Sequence, residues 1–100
     1  MVTQTAQTAQ DIYDEIYDYI QGHTAYFSSW YVGITKDLAA RLFGAHKIRR
    51  EDPSWIYRIA ANSDAARSVE DALIGNGCDG GGDVGSKIVY AYLKRATSSP

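Results

Sequence analysis

Apolar positions in the segment 9–22 recur with the period of a helix. Ile12, Ile16 and Ile20 are spaced by four residues, so they lie on one face of that helix. Gly22 is a residue type that commonly follows the last helical turn. The positions between the isoleucines are mostly acidic residues and tyrosines. The pattern therefore predicts an amphipathic helix with one buried face.

Three later segments are rich in the β-branched and aromatic side chains that suit the surface of a sheet. These predict strands over residues 28–35, 55–60 and 87–93. Between them, helices are predicted over 37–48, capped by Thr35 or Asp37, and over 63–76, capped by Asn62 or Ser63. The succession predicts an α/β (α+β) sandwich, in which helices pack on a small sheet of about three strands.

Length and composition limit the protein to one small folded unit. The chain has 100 residues, of which 45% are apolar, and this suits a single domain, which we assign to residues 9–95. Residues 1–8 and 96–100 are predicted to be a flexible arm and a flexible tail. No apolar run is long enough for a membrane span, and no signal peptide is recognisable. Because Cys78 is the single cysteine, we expect no internal disulfide and a reducing, cytoplasmic location.

The charges are unevenly distributed. The formal net charge is −2, which does not favour a stand-alone nucleic-acid binder. Residues 1–28 contain four acidic residues and no Lys or Arg. Five basic residues then fall within fifteen positions: Lys36, Arg41, Lys47, Arg49 and Arg50. This cluster either attracts phosphate through its local field, or is a solvated helix end whose cations complement the helix dipole.

A short motif joins the first predicted strand to the helix that follows it. Tyr31-Val32-Gly33 ends in a glycine, and Arg41 lies eight residues beyond that glycine. Together with Glu70 on the third predicted helix, this stretch resembles the GIY-YIG nuclease family over roughly residues 29–76. No Gly-Ile-Tyr precedes the motif, since the closest triplet, Asp11-Ile12-Tyr13, falls in a predicted helix. His46 also lies one position further from Arg41 than is usual in the family.

The resemblance implies metal-dependent hydrolysis of nucleic-acid phosphodiester bonds. Glu70 would hold a divalent cation, Mg²⁺ or Mn²⁺. Tyr31 would deprotonate or orient the attacking water, which requires its pKa of about 10 to be lowered by nearby cations. His46 is a candidate auxiliary base, or else a packed or capping residue. The candidate phosphate-binding residues are Arg41, Lys47, Arg49 and Arg50.

Both central site residues also have purely structural interpretations. The apolar arc of the third predicted helix comprises Ala66, Val69, Ala72, Leu73 and Ile74. Glu70 projects within this arc, and a carboxylate facing a core is unfavourable unless it is paired or binds a metal. It therefore pairs with Arg67 or Arg58, lies at the rim of the sheet, or holds a cation. Arg41 likewise pairs with Glu70 or Asp37, or binds phosphate.

Two further features are open to more than one interpretation. Residues 75–87 hold six of the nine glycines, which suits either a flexible connector or a loop that faces a ligand. The eight tyrosines either stack on bases or face the core. Tyr26 is a candidate for the tyrosine that the missing Gly-Ile-Tyr would supply.

Two functions remain as hypotheses. The first is a small GIY-YIG-type endonuclease acting on DNA or RNA, favoured because Tyr31, Arg41 and Glu70 are present. The alternative is a catalytically inactive GIY-YIG-like module that binds a protein partner or a phosphate-bearing ligand. The absent half-motif and the negative net charge favour that alternative. If the isoleucines of the first helix were exposed, this helix would be an oligomerisation surface.

Overall fold

The protein is seen in a computed structural model that describes residues 8–23, 26–45, 54–81 and 86–94. The elements in chain order are α1 (Ala9–His23), a 3-10 turn (Phe27–Ser29), β1 (Trp30–Thr35), a π-helix (Ala39–Ala45), β2 (Trp55–Ile59), α2 (Ser63–Gly75), β3 (Asp79–Gly80) and β4 (Ile88–Leu93). Residues 1–7 of the predicted arm and the predicted tail lie outside the described residues. So do four candidate site residues: His46, Lys47, Arg49 and Arg50.

The strands form one mixed sheet in the order β2-β4-β1-β3. β4 runs antiparallel to both β1 and β2, while β3 runs parallel to β1. The small α+β domain was predicted, but the count of about three strands was wrong. The fourth strand consists of Asp79 and Gly80, which pair with Tyr31 and Val32. Neither residue type favours a strand, so this strand exists only because β1 offers it an edge.

The register divides the sheet into two different faces. Residues opposite one another share a face, and successive residues alternate between faces. One face buries aliphatic side chains and Trp30 against α1 and α2. The other face has two rows of residues in register across three strands: Trp55, Tyr92 and Tyr31, then Tyr57, Tyr90 and Gly33. We call this second surface the aromatic face.

The helices cover the aliphatic face as their periodicity predicted. Ile12, Ile16 and Ile20 are fully buried in the core, which confirms that α1 packs inward. These isoleucines are therefore not available as an oligomerisation surface. On α2 the buried residues are Ala66, Val69, Glu70 and Leu73. Ala72 and Ile74 were expected in the buried arc but are exposed, so the face that α2 buries is narrower than predicted.

Local capping bonds fix the starts of the two later helices. Asn62 Oδ1 accepts from the N–H of Ala65 at 2.8 Å and caps α2. Asp37 Oδ1 accepts from the N–H of Ala40 at 3.1 Å and caps the turn ahead of the π-helix. The helix predicted over 37–48 is π-helical over Ala39–Ala45, a rare geometry that frequently occurs at functional sites. Periodicity did not reveal this wider winding.

Cys78 generates a prediction about stability at high pH. Its thiol is buried in the core, and burial, with a smaller contribution from Asp79, raises its pKa to about 11 against the opposing charge of Lys94. The folded state therefore keeps a proton that the unfolded state loses. Stability from this group is complete below about pH 9 and is lost as pH rises towards 11, with a slope of at most about 1.4 kcal/mol per pH unit.

Cys78→Ala should remove this contribution. We expect urea unfolding under reducing conditions to show a flatter fall in stability between about pH 9 and 10 for the variant than for the wild type. Both proteins should be compared at pH 7 first, because the smaller side chain itself lowers stability there. Parallel pH profiles would show that the thiol does not titrate differently in the two states.

Candidate functional site

Tyr31 lies on the aromatic face beside two other tyrosines. Its ring stacks on that of Tyr92, with centroids 5.4 Å apart and planes inclined by 23°. The ring of Tyr90 is tilted against it at 6.4 Å. The Tyr31 hydroxyl donates to the carbonyl oxygen of Gly81 across 3.4 Å, a long and therefore weak hydrogen bond. The phenol is thus oriented by neighbours on both sides.

Gly33 allows the chain to close around this tyrosine. It lies opposite Tyr90 in the β1–β4 register. A Cβ at this position would be 2.6 Å from both the Gly81 carbonyl oxygen and the Tyr90 hydroxyl. Only glycine leaves room for those two groups, because such distances are well below van der Waals contact. The glycine of the Tyr-Val-Gly motif is therefore needed for close packing of three strands.

The charges of Arg41 and Glu70 both act on the Tyr31 phenol. Arg41 on the π-helix and Glu70 on α2 thus lie within electrostatic range of Tyr31 on β1, although α2 packs on the aliphatic face of the sheet and Tyr31 lies on the aromatic face. Burial is the main influence and raises the pKa of Tyr31; Arg41 lowers it, while Glu70 and Asp79 raise it further. A pKa lowered by nearby cations, which deprotonation of water by Tyr31 would require, is not found among the described residues, because burial and the two carboxylates outweigh the arginine.

Glu70 is the unusual member of the group because it is a carboxylate in the buried face of a helix. It is only 7% exposed, and its Oε2 atom has no hydrogen-bond partner in the described parts of the chain. Burial raises the pKa of Glu70, Asp71 raises it further, and Arg67 opposes them. Arg58, one of the partners expected from the sequence, pairs instead with Glu15 on α1.

A buried carboxylate oxygen without a partner fits the binding of a divalent cation. Hard oxygen donors suit Mg²⁺ and Mn²⁺, and Mg²⁺ commonly keeps several waters. No cluster of three or more His, Cys, Asp or Glu is found within the described ranges. A cation held by Glu70 would therefore complete its coordination shell largely with water and substrate oxygens.

Two tyrosines of the site were missed in the sequence. Tyr90 and Tyr92 are both fully buried on β4, whereas Tyr26, the suggested stand-in, is 69% exposed ahead of the 3-10 turn. Tyr90 and Tyr92 are two residues apart, and this spacing alone predicts that they share one face of a strand. It gives no information on which strand they adjoin, and only the pairing of β4 with β1 brings them to Tyr31.

The comparisons with known proteins do not assign a family. No protein-family model, curated protein or solved structure matches the chain. None of the helices in the described ranges is both long and apolar enough to cross a membrane. The resemblance to GIY-YIG nucleases therefore stays a hypothesis, which depends on the motif residues and on the geometry around Tyr31.

The tight packing at Gly33 can be tested directly. We expect Gly33→Ala to destabilise the fold by about 1–3 kcal/mol, because the added methyl group forces β4 or Gly81 away from β1. Gly22→Ala is a matched control, since nothing lies within 4 Å of its Cβ position. It should be neutral or stabilising by up to about 1 kcal/mol. Urea unfolding of both variants is the measurement, and equal stabilities would contradict close packing of Tyr90 and Gly81 against Gly33.

Proposed function

We propose that this protein is a GIY-YIG-type nuclease domain that hydrolyses phosphodiester bonds of DNA or RNA with the help of Mg²⁺ or Mn²⁺. The observation that carries the proposal is the placement of a buried carboxylate, Glu70, and an arginine, Arg41, within electrostatic reach of the Tyr31 phenol. An acidic metal ligand, a phosphate-binding cation and a polar hydroxyl are the groups that such a hydrolysis uses.

In this proposal each side chain has a distinct role. Arg41 binds the phosphate through a planar guanidinium that is charged at every working pH. A cation on Glu70, when bound, neutralises charge on the phosphate and on the leaving oxygen. The pKa of Tyr31 is raised, so its phenol keeps its proton at neutral pH. Its hydroxyl therefore orients the attacking water and does not act as the base that deprotonates this water.

We further propose that β4 takes the place of the strand that the family forms from Gly-Ile-Tyr. The support is its antiparallel pairing with β1 over six residue pairs, from Trp30–Leu93 to Thr35–Ile88. Ile88-Val89-Tyr90 then supplies the hydrophobic residues and the tyrosine, with Tyr90 directly opposite Gly33. In this protein the strand follows α2 in the chain, whereas the family pattern has it ahead of the Tyr-Val-Gly motif.

One observation favours the alternative function, a non-catalytic module that binds a phosphate-bearing ligand or a protein partner. The carbonyl oxygen of Gly81 accepts a hydrogen bond from the Tyr31 hydroxyl and occupies the space next to Gly33. A reacting water must displace or share that contact. The two functions differ in whether Glu70 is needed, because phosphate binding by Arg41 requires no metal ligand.

Cleavage of labelled DNA and RNA with Mg²⁺ or Mn²⁺ tests the nuclease function. Glu70→Gln should abolish it, and Arg41→Met should lower turnover by on the order of 10³-fold or more. Asp71→Asn is the matched control, since it removes an exposed carboxylate next to Glu70 on the same helix and should retain cleavage. Glu70→Gln should unfold at the same temperature as the wild type or higher, because a buried charge is removed.

The result also separates the two functions. Cleavage that persists in both Glu70→Gln and Arg41→Met would show that a contaminant is responsible. The alternative function is supported if neither metal produces cleavage while oligonucleotide binding saturates and Arg41→Met weakens it.

A further inference from the structure

A cleft with both lysine and isoleucine side chains lies on the aromatic face, at the end opposite to Tyr31. It has a volume of about 370 Å³ and is lined by Lys36, Ile59, Ser86, Lys87 and Ile88. Ile59 and Ile88 are directly opposite one another in the β2–β4 register, and they lie on the same face as Tyr57 and Tyr90. The isoleucines therefore form an apolar floor. We call this the lysine cleft.

The lysine cleft carries concentrated positive charge at its rim. Lys36 follows β1 and Lys87 precedes β4, and both side chains are exposed. Neither makes an ion pair with any residue in the described ranges. Ser86, in contrast, is only 5% exposed. Two ammonium groups above an apolar floor provide both a binding site for an anion and a surface for a planar or apolar group.

The cleft and the candidate site lie on the same face of the sheet. Tyr31 and Thr35 are four residues apart on β1, which at about 3.3 Å per residue is about 13 Å. Between the two sites lies Tyr57, half-buried on β2, whose ring stacks on Trp55 with centroids 6.4 Å apart. One strand of nucleic acid can span this distance, with a base on the half-buried ring of Tyr57 and phosphates that reach cations at both ends. Tyr90 and Tyr92 are fully buried and provide no stacking surface.

We propose that the lysine cleft binds a nucleotide of single-stranded nucleic acid that flanks the phosphate held by Arg41. Its base lies on Ile59 and Ile88, and its phosphate lies between Lys36 and Lys87. This inference rests on the proposed function, since it extends that substrate along the aromatic face. It adds a preference for an unpaired strand, because a base inside a duplex cannot reach the apolar floor.

Binding without cleavage tests the cleft separately from the chemistry. Fluorescence anisotropy of labelled oligothymidylate, in EDTA, should give an affinity that falls with salt. The double variant Lys36→Gln, Lys87→Gln should bind at least about tenfold more weakly, and its log–log salt slope should be smaller by about 1.4, the value for two contacts to single-strand phosphates. Arg67→Gln removes one exposed positive charge on α2, away from the cleft; it is the control for a general loss of charge and should change neither.

The apolar floor has its own variant and its own expected result. Ile59→Ala should weaken oligothymidylate binding without altering the salt slope, because no phosphate contact is lost. Thymidine 5′-monophosphate should compete better than either thymidine or inorganic phosphate, since the cleft binds both parts of a nucleotide. The double variant Lys36→Arg, Lys87→Arg keeps both positive charges and should bind with the affinity and salt slope of the wild type. If the lysines had only a structural role, the arginine variant would not recover binding better than the glutamine variant does.

Failure of this inference is distinguishable from failure of the nuclease function. If cleavage depends on Glu70 but the lysine variants bind oligothymidylate like the wild type, the cleft proposal is overturned and the nuclease stands. If no metal gives cleavage but the lysine and isoleucine variants weaken binding as described, the cleft is supported and the catalytic proposal falls. Equal affinity for single-stranded and duplex probes would also overturn the proposal.

Discussion

The antiparallel pairing of β1 with β4 is the interaction on which the rest of the structure depends. It buries Val32, Ile34, Val89 and Ala91 on the face that α1 and α2 cover, so it provides the sheet surface on which both helices pack. On the opposite face, the same register sets Tyr90 against Gly33. Because the glycine has no side chain, Gly81 also approaches to contact distance. A shift of one residue in this pairing would exchange the two faces and remove both core and site.

The buried carboxylate of Glu70 is a second constraint, because burying a charge lowers the stability of the fold. A charge in the buried face of α2 is unfavourable unless a partner compensates it, and its raised pKa reflects that cost. Arg58, a partner that the sequence suggested for Glu70, forms its ion pair with Glu15 on α1 instead. A buried carboxylate that lowers the stability of the core is typical of functional sites.

The aromatic face extends from the candidate site around Tyr31 to the lysine cleft. Trp55, Tyr57, Tyr90 and Tyr92 come from two neighbouring strands, and Phe43 of the π-helix packs edge-on against Trp55 at 5.2 Å. One end of this face carries Arg41 with the Tyr31 phenol, and the other carries Lys36 and Lys87. The positive charge is therefore placed at two ends of an aromatic surface, on a protein whose net charge is −2.

The sequence by itself determined the local elements. Four-residue spacing predicted α1 and its buried isoleucines, a capping residue at Asn62 or Ser63 predicted the start of α2, and β-branched runs predicted β1, β2 and β4. Eight residues from Gly33 to Arg41 were enough to bring Tyr31 and Arg41 into one hypothesis. Only the tertiary structure decided which strand lies beside β1, that Tyr90 rather than Tyr26 meets Gly33, that Asp79–Gly80 is a strand, and that burial raises the pKa of Tyr31. The reason is physical: periodicity and capping depend on neighbours in the chain, whereas strand order, desolvation and electrostatic coupling depend on residues that are distant in sequence.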